Sequence, residues 1–169
     1  MNASVIIVMG SDSDLPVMQE AAKVLEDLGV TSDVHTLSAH RSPDAVVNLV
    51  ETSEKTGTKV FICGAGGAAH LAGTVAAHTA LPVIGVPISN KTTAGVDALF
   101  STVQMPPGVP VATMGVGKSG ATNAGFLAVR ILALSDAKLV RKLADYKNQL
   151  EKTIGEKSKK VEEQLQRRS

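Results

Sequence analysis

The amino-acid sequence predicts a three-layer α/β/α sandwich built on a five-stranded parallel sheet. Short runs rich in Val and Ile alternate along the chain with longer segments whose apolar residues recur at helical spacing. Several of these runs are apolar at nearly every position, as in strands buried on both faces of a parallel sheet. Right-handed crossovers between five such strands favour the flavodoxin-like order 2-1-3-4-5, with one helix appended after the sheet.

Five segments account for the predicted strands. Nearly continuous apolar runs at 5–9, 59–63 and 82–86 are expected at the centre of the sheet. The run 33–37 alternates between polar and apolar residues and suits a flanking strand, whereas 110–114 begins with proline and suits an edge. The expected strand order reverses direction between the first and third strands, where ligands bind in open sheets of this kind.

The segments between and after the strands carry helical patterns. Helices are predicted at 14–28, 43–56 and 69–79, within 92–105, at about 123–133, and from about 136 onward. The last helix has an apolar stripe that requires a partner surface, which favours an oligomer. The stripe consists of Leu139, Leu143, Tyr146, Leu150 and Ile154.

The domain assignment follows from these elements. Residues 1–135 are assigned to the α/β domain, and 136–169 to an amphipathic helix and charged tail of the same single-domain protein. The charged residues beyond Gly155 indicate a solvated, frayed helix end rather than a tail that binds nucleic acid.

Composition excludes several classes of function. The 169 residues are 44% hydrophobic, which suits one domain with a proper core, and the net charge of +1 offers no broad footprint for nucleic acid or membrane. The single cysteine, Cys63, is expected in the core and forms no internal disulfide. The first residues lack the basic segment of a signal peptide, and no apolar run reaches the ~20 residues of a membrane span, so a cytoplasmic protein is expected.

The first two strands are each followed by polar residues with chemical potential. After the first strand, Ser11 and Ser13 with the next helix start could hold a phosphate, although helix capping alone also explains this turn. After the second strand, His40 suits proton transfer near neutral pH, and Arg41 suits a clamp on phosphate or carboxylate. Because the carboxyl ends of parallel strands share one edge, we expect these side chains to meet there.

The third strand is followed by a glycine-rich segment. Residues 64–69 read GAGGAA and satisfy a dinucleotide-binding pattern, but the acidic residue expected ~20 positions later is absent, which argues against a nicotinamide cofactor. His70 comes directly after the segment and is a candidate for the site, unlike His35 and His78. A near match to a phosphate-binding loop at 115–119 lacks its first glycine, so Lys118 is expected to face solvent. The histidines and Cys63 lack the spacing of a metal site, so no metal is predicted.

Four motifs, taken together, resemble those of the aminoimidazole ribonucleotide carboxylase family, in particular its bacterial-type class I members, the N5-carboxyaminoimidazole ribonucleotide mutases. The motifs are MGSDSD at 9–14, SAHR at 38–41, GAGGAAHL at 64–71 and VQMP at 103–106. Each motif is short, and their order and spacing carry the resemblance, which covers roughly residues 4–133. Thr92 and Thr93 depart from it, since they replace a more apolar stretch.

The resemblance implies a cytoplasmic homo-octamer with active sites shared between subunits, and a ribonucleotide as the small-molecule substrate. It implies an isomerase of purine biosynthesis that moves a carboxylate from the exocyclic nitrogen of an aminoimidazole ribonucleotide to C4, without metal, ATP or organic cofactor. The residue roles that it implies are general acid/base for His40, ribonucleotide binding for Ser11 and Asp14, and phosphate binding for Ser13, Ser38 and Arg41. Gly66, Gly67, Ala68 and His70 are implied to line the carboxylate pocket, and His70 is assigned with His40 as a catalytic residue.

Two other functions remain as alternatives at the level of sequence. A sister class of carboxylases uses free carbon dioxide. Its members resemble one another in carrying Ser-Ala-His-Lys in the second loop and in lacking the Ala-Ala-His segment, so Arg41 and His70 favour the mutase. A non-catalytic nucleotide-binding module needs no proton shuttle, so His40 separates it from the enzymes. We also expect the proline turn at 105–107 to cover a closed, nearly water-free niche beside the glycine-rich segment.

Overall fold

A single parallel sheet organises the protein. The computed structural model describes residues 3–166 and contains the strands β1 (Val5–Met9), β2 (Ser32–Thr36), β3 (Val60–Gly66), β4 (Val83–Ile88) and β5 (Ala112–Thr113). Their order is β2-β1-β3-β4-β5, and every pairing between neighbours is parallel. The predicted fold class and strand order are therefore confirmed.

Six α-helices accompany the sheet in the described part of the chain. They are α1 (Leu15–Asp27), α2 (Pro43–Lys55), α3 (Leu71–Ala77), α4 (Val96–Val103), α5 (Lys118–Ala133) and α6 (Ala137–Gln166). The right-handed crossover from β1 to β2 runs opposite to the later crossovers, so helices cover both faces of the sheet. On one face α1 and α5 are in contact, because a Cβ built on Gly125 would lie 2.8 Å from Val24 Cβ. On the other face α2 contacts α3.

Three of the elements whose boundaries differ from the sequence-based expectation show the physical reasons most clearly. β3 continues to Gly66, because the first glycines of the glycine-rich segment pair in register with β4, with Gly64 opposite Val86 and Gly66 opposite Ile88. β5 pairs over two residues only. α5 begins at Lys118, five positions earlier than predicted, because the turn that looked like a phosphate-binding loop leads directly into the helix.

The core lies around the central strands and is almost entirely aliphatic. All five residues of β1 and all six of β4 are buried, as are the first five of β3. The largest fully buried side chain is Phe61, with Ile7, Ile62 and Ile84 beside it in the sheet. These strands form a rigid platform, and their carboxyl ends all point to the same edge.

The chain divides into two compact units between Ile131 and Leu132. The first holds the sheet and its surrounding helices, and the second is mainly α6, which stays helical through the charged segment as far as Gln166. The assignment of both units to one single-domain protein stays a prediction. Among residues 3–166, no helix combines the length and the apolar character that are needed to cross a bilayer.

Candidate active site

A cavity of about 570 Å³ opens at the carboxyl edge of the sheet. The segments that follow β1, β2, β3 and β4 all contribute to its wall. All ten residues proposed from the sequence line it: Ser11, Ser13 and Asp14 after β1, Ser38, His40 and Arg41 after β2, and Gly66, Gly67, Ala68 and His70 at and after β3. Residues that are far apart in sequence therefore converge, as a parallel sheet requires.

Two histidines from different loops form a hydrogen-bonded pair in this cavity. The Nε2 atom of His40 lies 2.8 Å from the Nδ1 atom of His70, and the two rings meet edge to face with centroids 4.9 Å apart. One nitrogen must carry the proton and the other must accept it. The pair therefore keeps its hydrogen bond with both rings neutral or with one ring protonated, and loses it when both are protonated.

Ser38 fixes the backbone that carries His40 and Arg41. Its Oγ atom accepts hydrogen bonds from the backbone N–H groups of His40 and Arg41, at 3.3 and 3.2 Å. Ser42 closes the turn, because its Oγ accepts from the Ser38 N–H and donates to the Ser38 carbonyl. With both lone pairs of its hydroxyl engaged, Ser38 has only its O–H left for a ligand, and that group suits an acceptor such as a phosphate oxygen.

Arg41 joins the second loop to the first. Its Nη2 atom donates to the carbonyl oxygen of Gly10 at 2.8 Å, across the strand order from β2 to β1. A second hollow of about 250 Å³ adjoins it, lined by both loops. A guanidinium has further N–H donors in its planar fork, so one bond to Gly10 leaves Arg41 able to grip an anion.

The first loop is a compact capped turn. Ser11 caps a single 3₁₀ turn at Asp12–Asp14, and the Asp14 carboxylate accepts from the Ser11 N–H at 3.1 Å. The Ser13 hydroxyl donates to Ser11 Oγ at 2.9 Å, and the Ser11 hydroxyl donates to Asp12. Burial is the main cause that raises the pKa of Asp14 above its usual value, against the lowering effect of the Ser11 N–H. The capping and ligand-binding interpretations therefore apply to the same residues.

The glycine-rich segment lets the backbone approach closely. A Cβ built on Gly66 would lie 3.0 Å from the carbonyl oxygen of Ile88, so only a residue without a side chain fits there without a shift. Gly67 adopts a φ of +62°, a left-handed conformation that favours glycine. The result is a stretch of cavity wall with almost no side-chain bulk.

A fourth loop at the cavity escaped the sequence analysis. Ile88, Ser89 and Asn90, at and after the end of β4, also line the cavity. Their position at the end of a predicted strand was the signal that could have found them, because the same edge of the sheet carries every other site loop. Neither histidine nor arginine occurs in this segment, so it lacks the residue types that indicate proton transfer or anion binding.

The other residues weighed from the sequence lie away from the cavity. His35, His78 and Lys118 are not among its lining residues, and Cys63 is buried in β3, where burial raises the pKa of its thiol. The proline turn after α4 does not line the cavity either; a Cβ on Gly73 of α3 would lie 3.1 Å from Met105 Cε. Within residues 3–166, no three His, Cys, Asp or Glu side chains are grouped as metal ligands.

Comparison with known proteins gives one consistent result. A family model for AIR carboxylase matches residues 4–153. The curated N5-carboxyaminoimidazole ribonucleotide mutases of Thermotoga maritima and Bacillus subtilis are 48% and 49% identical to the chain, over 93% and 94% of its length and 91% and 98% of theirs. The crystal structure of Treponema denticola PurE superposes with a TM-score of 0.83 at 29% identity, covering 90% of this chain and 94% of that one.

Proposed function

The chain belongs to the AIR carboxylase family, and from this premise we propose that His40 is the general acid and base of its reaction. The reaction converts N5-carboxyaminoimidazole ribonucleotide into 4-carboxy-5-aminoimidazole ribonucleotide in purine biosynthesis, as in the curated mutases. The observation that carries the proposal is the 2.8 Å contact between His40 and His70 inside the cavity. It joins two groups that can exchange a proton at the place where the site loops converge.

The reaction needs one proton given and one proton returned. His40 as imidazolium donates to the carbamate nitrogen, the N–C bond breaks, and carbon dioxide and an electron-rich aminoimidazole remain. C4 then attacks the carbon dioxide to form the new C–C bond, and neutral His40 removes the proton from C4 to restore the aromatic ring. Atoms and charge balance over the two steps, so a single imidazole serves both.

His70 assists by holding the ring of His40. Its Nδ1 atom lies within hydrogen-bond distance of His40 Nε2, so it fixes the direction in which that ring points. When His40 is protonated, the Nδ1 atom of neutral His70 accepts a hydrogen bond from its Nε2–H group. In this role His70 orients the acid and stabilises the charged form that starts the reaction.

The loops after β1 and β2 bind the ribonucleotide. Ser38 offers a free O–H and Arg41 offers spare guanidinium donors, which together with Ser13 suit the phosphate group. Ser11 and Asp14 bind the ribonucleotide. Because Ser13 donates to Ser11 in the structure, the Ser13 hydroxyl must turn away from Ser11 to donate to a phosphate.

The glycine-rich segment holds the migrating carboxylate. Gly66, Gly67 and Ala68 line the cavity on the side of His70 and present backbone with little side-chain bulk. Carbon dioxide is small and has no charge, so it stays in place only where the wall approaches closely and water is excluded. No metal or organic cofactor takes part in the proposed sequence of steps.

We further propose that the protein acts as a cytoplasmic homo-octamer with shared active sites. The exposed apolar side chains of α4 support assembly: Val96, Phe100 and Val103 are 53%, 57% and 48% exposed and fall on one helix face. The number of eight subunits comes from the family resemblance.

Replacement of His40 tests the proposal directly. We expect His40→Asn to lower kcat by 10²-fold or more, the contribution typical of a general acid and base, while the product still binds with similar affinity. Turnover is followed with N5-carboxyaminoimidazole ribonucleotide, and binding of 4-carboxy-5-aminoimidazole ribonucleotide is followed by calorimetry. A variant with the turnover of the wild type would remove His40 from the mechanism.

A second assay separates the mutase from a carboxylase that uses free carbon dioxide. The enzyme receives either the carbamate at low bicarbonate, or aminoimidazole ribonucleotide with ¹³C-bicarbonate. We expect direct conversion of the carbamate with its own carboxylate retained. Conversion of aminoimidazole ribonucleotide alone, with label from bicarbonate, would instead assign the carboxylase reaction.

A further inference from the structure

One hydroxyl in the cavity has no role in the steps described above. Ser89 lines the cavity and is exposed, and within residues 3–166 no hydrogen bond engages its side chain. The other serines of the cavity, Ser11, Ser13 and Ser38, all take part in hydrogen bonds of their own loops. Ser89 is therefore the cavity serine whose donor and acceptor sites are all open to a ligand.

Ser89 lies beside the glycine-rich segment. Gly66 pairs in register with Ile88, and the Ile88 carbonyl would lie 3.0 Å from a Cβ on Gly66. Gly67 directly follows the end of β3, and Ser89 directly follows the end of the neighbouring strand β4. The open hydroxyl consequently adjoins the part of the wall assigned to the migrating carboxylate.

The chain packs directly behind Ser89. Gly95 has a φ of +89°, and a Cβ built on it would lie 3.1 Å from the Cα and 3.2 Å from the Cβ of Ser89, and 2.6 Å from Val116. The loop after β4 thus packs against Ser89 at Gly95, a position where only glycine fits. Ser89 has little freedom to withdraw from the cavity.

Asn90 holds this loop in shape. Its Oδ1 atom accepts from the N–H of Thr92, the N–H of Thr93 and the hydroxyl of Thr93, at 2.9, 2.9 and 3.0 Å. Its Nδ2 atom donates to Asp97 Oδ2 at 3.0 Å, and Asp97 in turn accepts from the Ala98 N–H at the start of α4. One amide therefore ties both ends of the loop to the helix.

We propose that Ser89 contacts the substrate, donating a hydrogen bond to the migrating carboxylate, and that Asn90 positions it through Asp97. The inference rests on the proposed function of the cavity. A carboxylate needs donors on more than one side, and the glycine-rich segment supplies backbone N–H groups only. Ser89 adds a side-chain donor at the adjoining strand end, already set in place before substrate arrives.

The test of Ser89 uses three variants and one assay. We expect Ser89→Ala to lower kcat/KM about tenfold, as loss of one hydrogen bond to a charged group does, and Ser89→Thr to recover most of it because the hydroxyl remains. Lys91→Ala is the control, because Lys91 belongs to the same loop and does not line the cavity. A Ser89→Ala variant within twofold of the wild type overturns the proposal.

The positioning role of Asn90 is tested by non-additivity. If Asn90 acts through Ser89, then Asn90→Ala lowers kcat/KM, and the Ser89→Ala/Asn90→Ala pair is no worse than the more affected single variant. Additive losses would contradict the positioning role. The single Ser89 variants still decide the contact if Asn90→Ala folds poorly, which melting temperatures reveal.

His40→Asn, measured in parallel, separates this inference from the proposed function. If His40→Asn is inactive while Ser89→Ala is fully active, only the role of Ser89 fails. If His40→Asn turns over like the wild type, the proposed mechanism fails whatever Ser89 does.

Discussion

A hydroxyl group can donate one hydrogen bond and accept two, and the serines that line the cavity use these sites in different ways. Ser38 uses both lone pairs on its own loop and keeps its proton for a ligand, whereas Ser13 has directed its proton to Ser11. Anions accept hydrogen bonds, so the Ser38 hydroxyl is ready to bind an anion, whereas the Ser13 hydroxyl must first rotate away from Ser11. The difference follows from hydrogen bonds that are local to each loop.

The histidine pair gives a prediction in which two substitutions of one residue differ. An Asn at position 70 retains a carbonyl acceptor near the place of Nδ1, whereas a Leu retains none. We expect His70→Leu to lower kcat by about 10–100-fold and His70→Asn to lower it less, because the ring of His40 stays oriented. Steady-state kinetics on both variants provide the measurement, and equal losses would argue against an orienting hydrogen bond.

Asp14 gives a prediction about pH. Burial raises its pKa, so the folded state binds the proton more tightly than the unfolded state. That contribution to stability is complete below the usual carboxyl pKa and is lost as the pH rises through the raised value. We therefore expect Asp14→Asn, which is always neutral, to melt at a higher temperature than the wild type at about pH 8 and at a similar one at about pH 4.

Circular dichroism melts at the two pH values provide the measurement for Asp14→Asn, and KM is measured in parallel. The variant should bind substrate more weakly, because Asp14 lines the cavity proposed to bind the ribonucleotide. A variant no more stable than the wild type at the higher pH would show that the buried charge costs the fold nothing.

The sequence identified residues that line one cavity, but it did not identify the contacts between them. His40 and His70 were identifiable because each follows a strand, yet their direct contact depends on the distance between two loops that lie on either side of β1. Ser89 and Asn90 were missed because Ser and Asn after a strand are also ordinary turn residues. Only the register of Gly66 with Ile88 places them beside the glycine-rich segment.

Gly120 in α5 and Gly155 in α6 differ in what an added side chain would contact. A Cβ on Gly120 in α5 would lie within 1.6 Å of the Gly115 carbonyl oxygen, whereas a Cβ on Gly155 in α6 meets no neighbour within 4 Å. The first glycine is required by close packing of backbone on backbone. The second carries only the entropic penalty of glycine in a helix.

This contrast predicts stability changes of opposite sign. We expect Gly120→Ala to lower the free energy of unfolding by about 3 kcal/mol, because backbone cannot move aside as a flexible side chain can. Gly155→Ala should raise the local helix stability of α6 by about 0.5–1 kcal/mol. Urea denaturation measures the free energy of unfolding of Gly120→Ala, and circular dichroism measures the helical content of Gly155→Ala. A Gly120→Ala protein as stable as the wild type would refute the close contact.

The boundaries of α5 and β5 were harder to predict from the sequence than the existence of these elements. Within residues 3–166, periodicity identified the five strands and the six α-helices, but the early start of α5 was hidden by glycines that resembled a phosphate-binding loop. β5 shrank to two residues because only Ala112 and Thr113 pair with β4. Pairing is set by neighbouring strands, and a single segment does not carry that information.

For the whole molecule, the exposed face of α4 predicts how copies assemble. We expect Phe100→Asp to reduce the mass in solution, because a charge replaces the most exposed apolar side chain of that face. Val34→Asp is a matched control, since Val34 is an exposed valine on β2. Light scattering measures the mass, and a Phe100→Asp protein of unchanged mass would contradict assembly through α4.

The two borders of the sheet are each protected against unwanted strand pairing. β5 is a stub of two residues, too short to template another chain. β2 is longer, but it exposes the charged Asp33 beside Val34 along its free border. Neither border therefore invites a second copy to add its own strand to the sheet, which discourages fibril growth in a concentrated solution and leaves the helix faces for the proposed assembly.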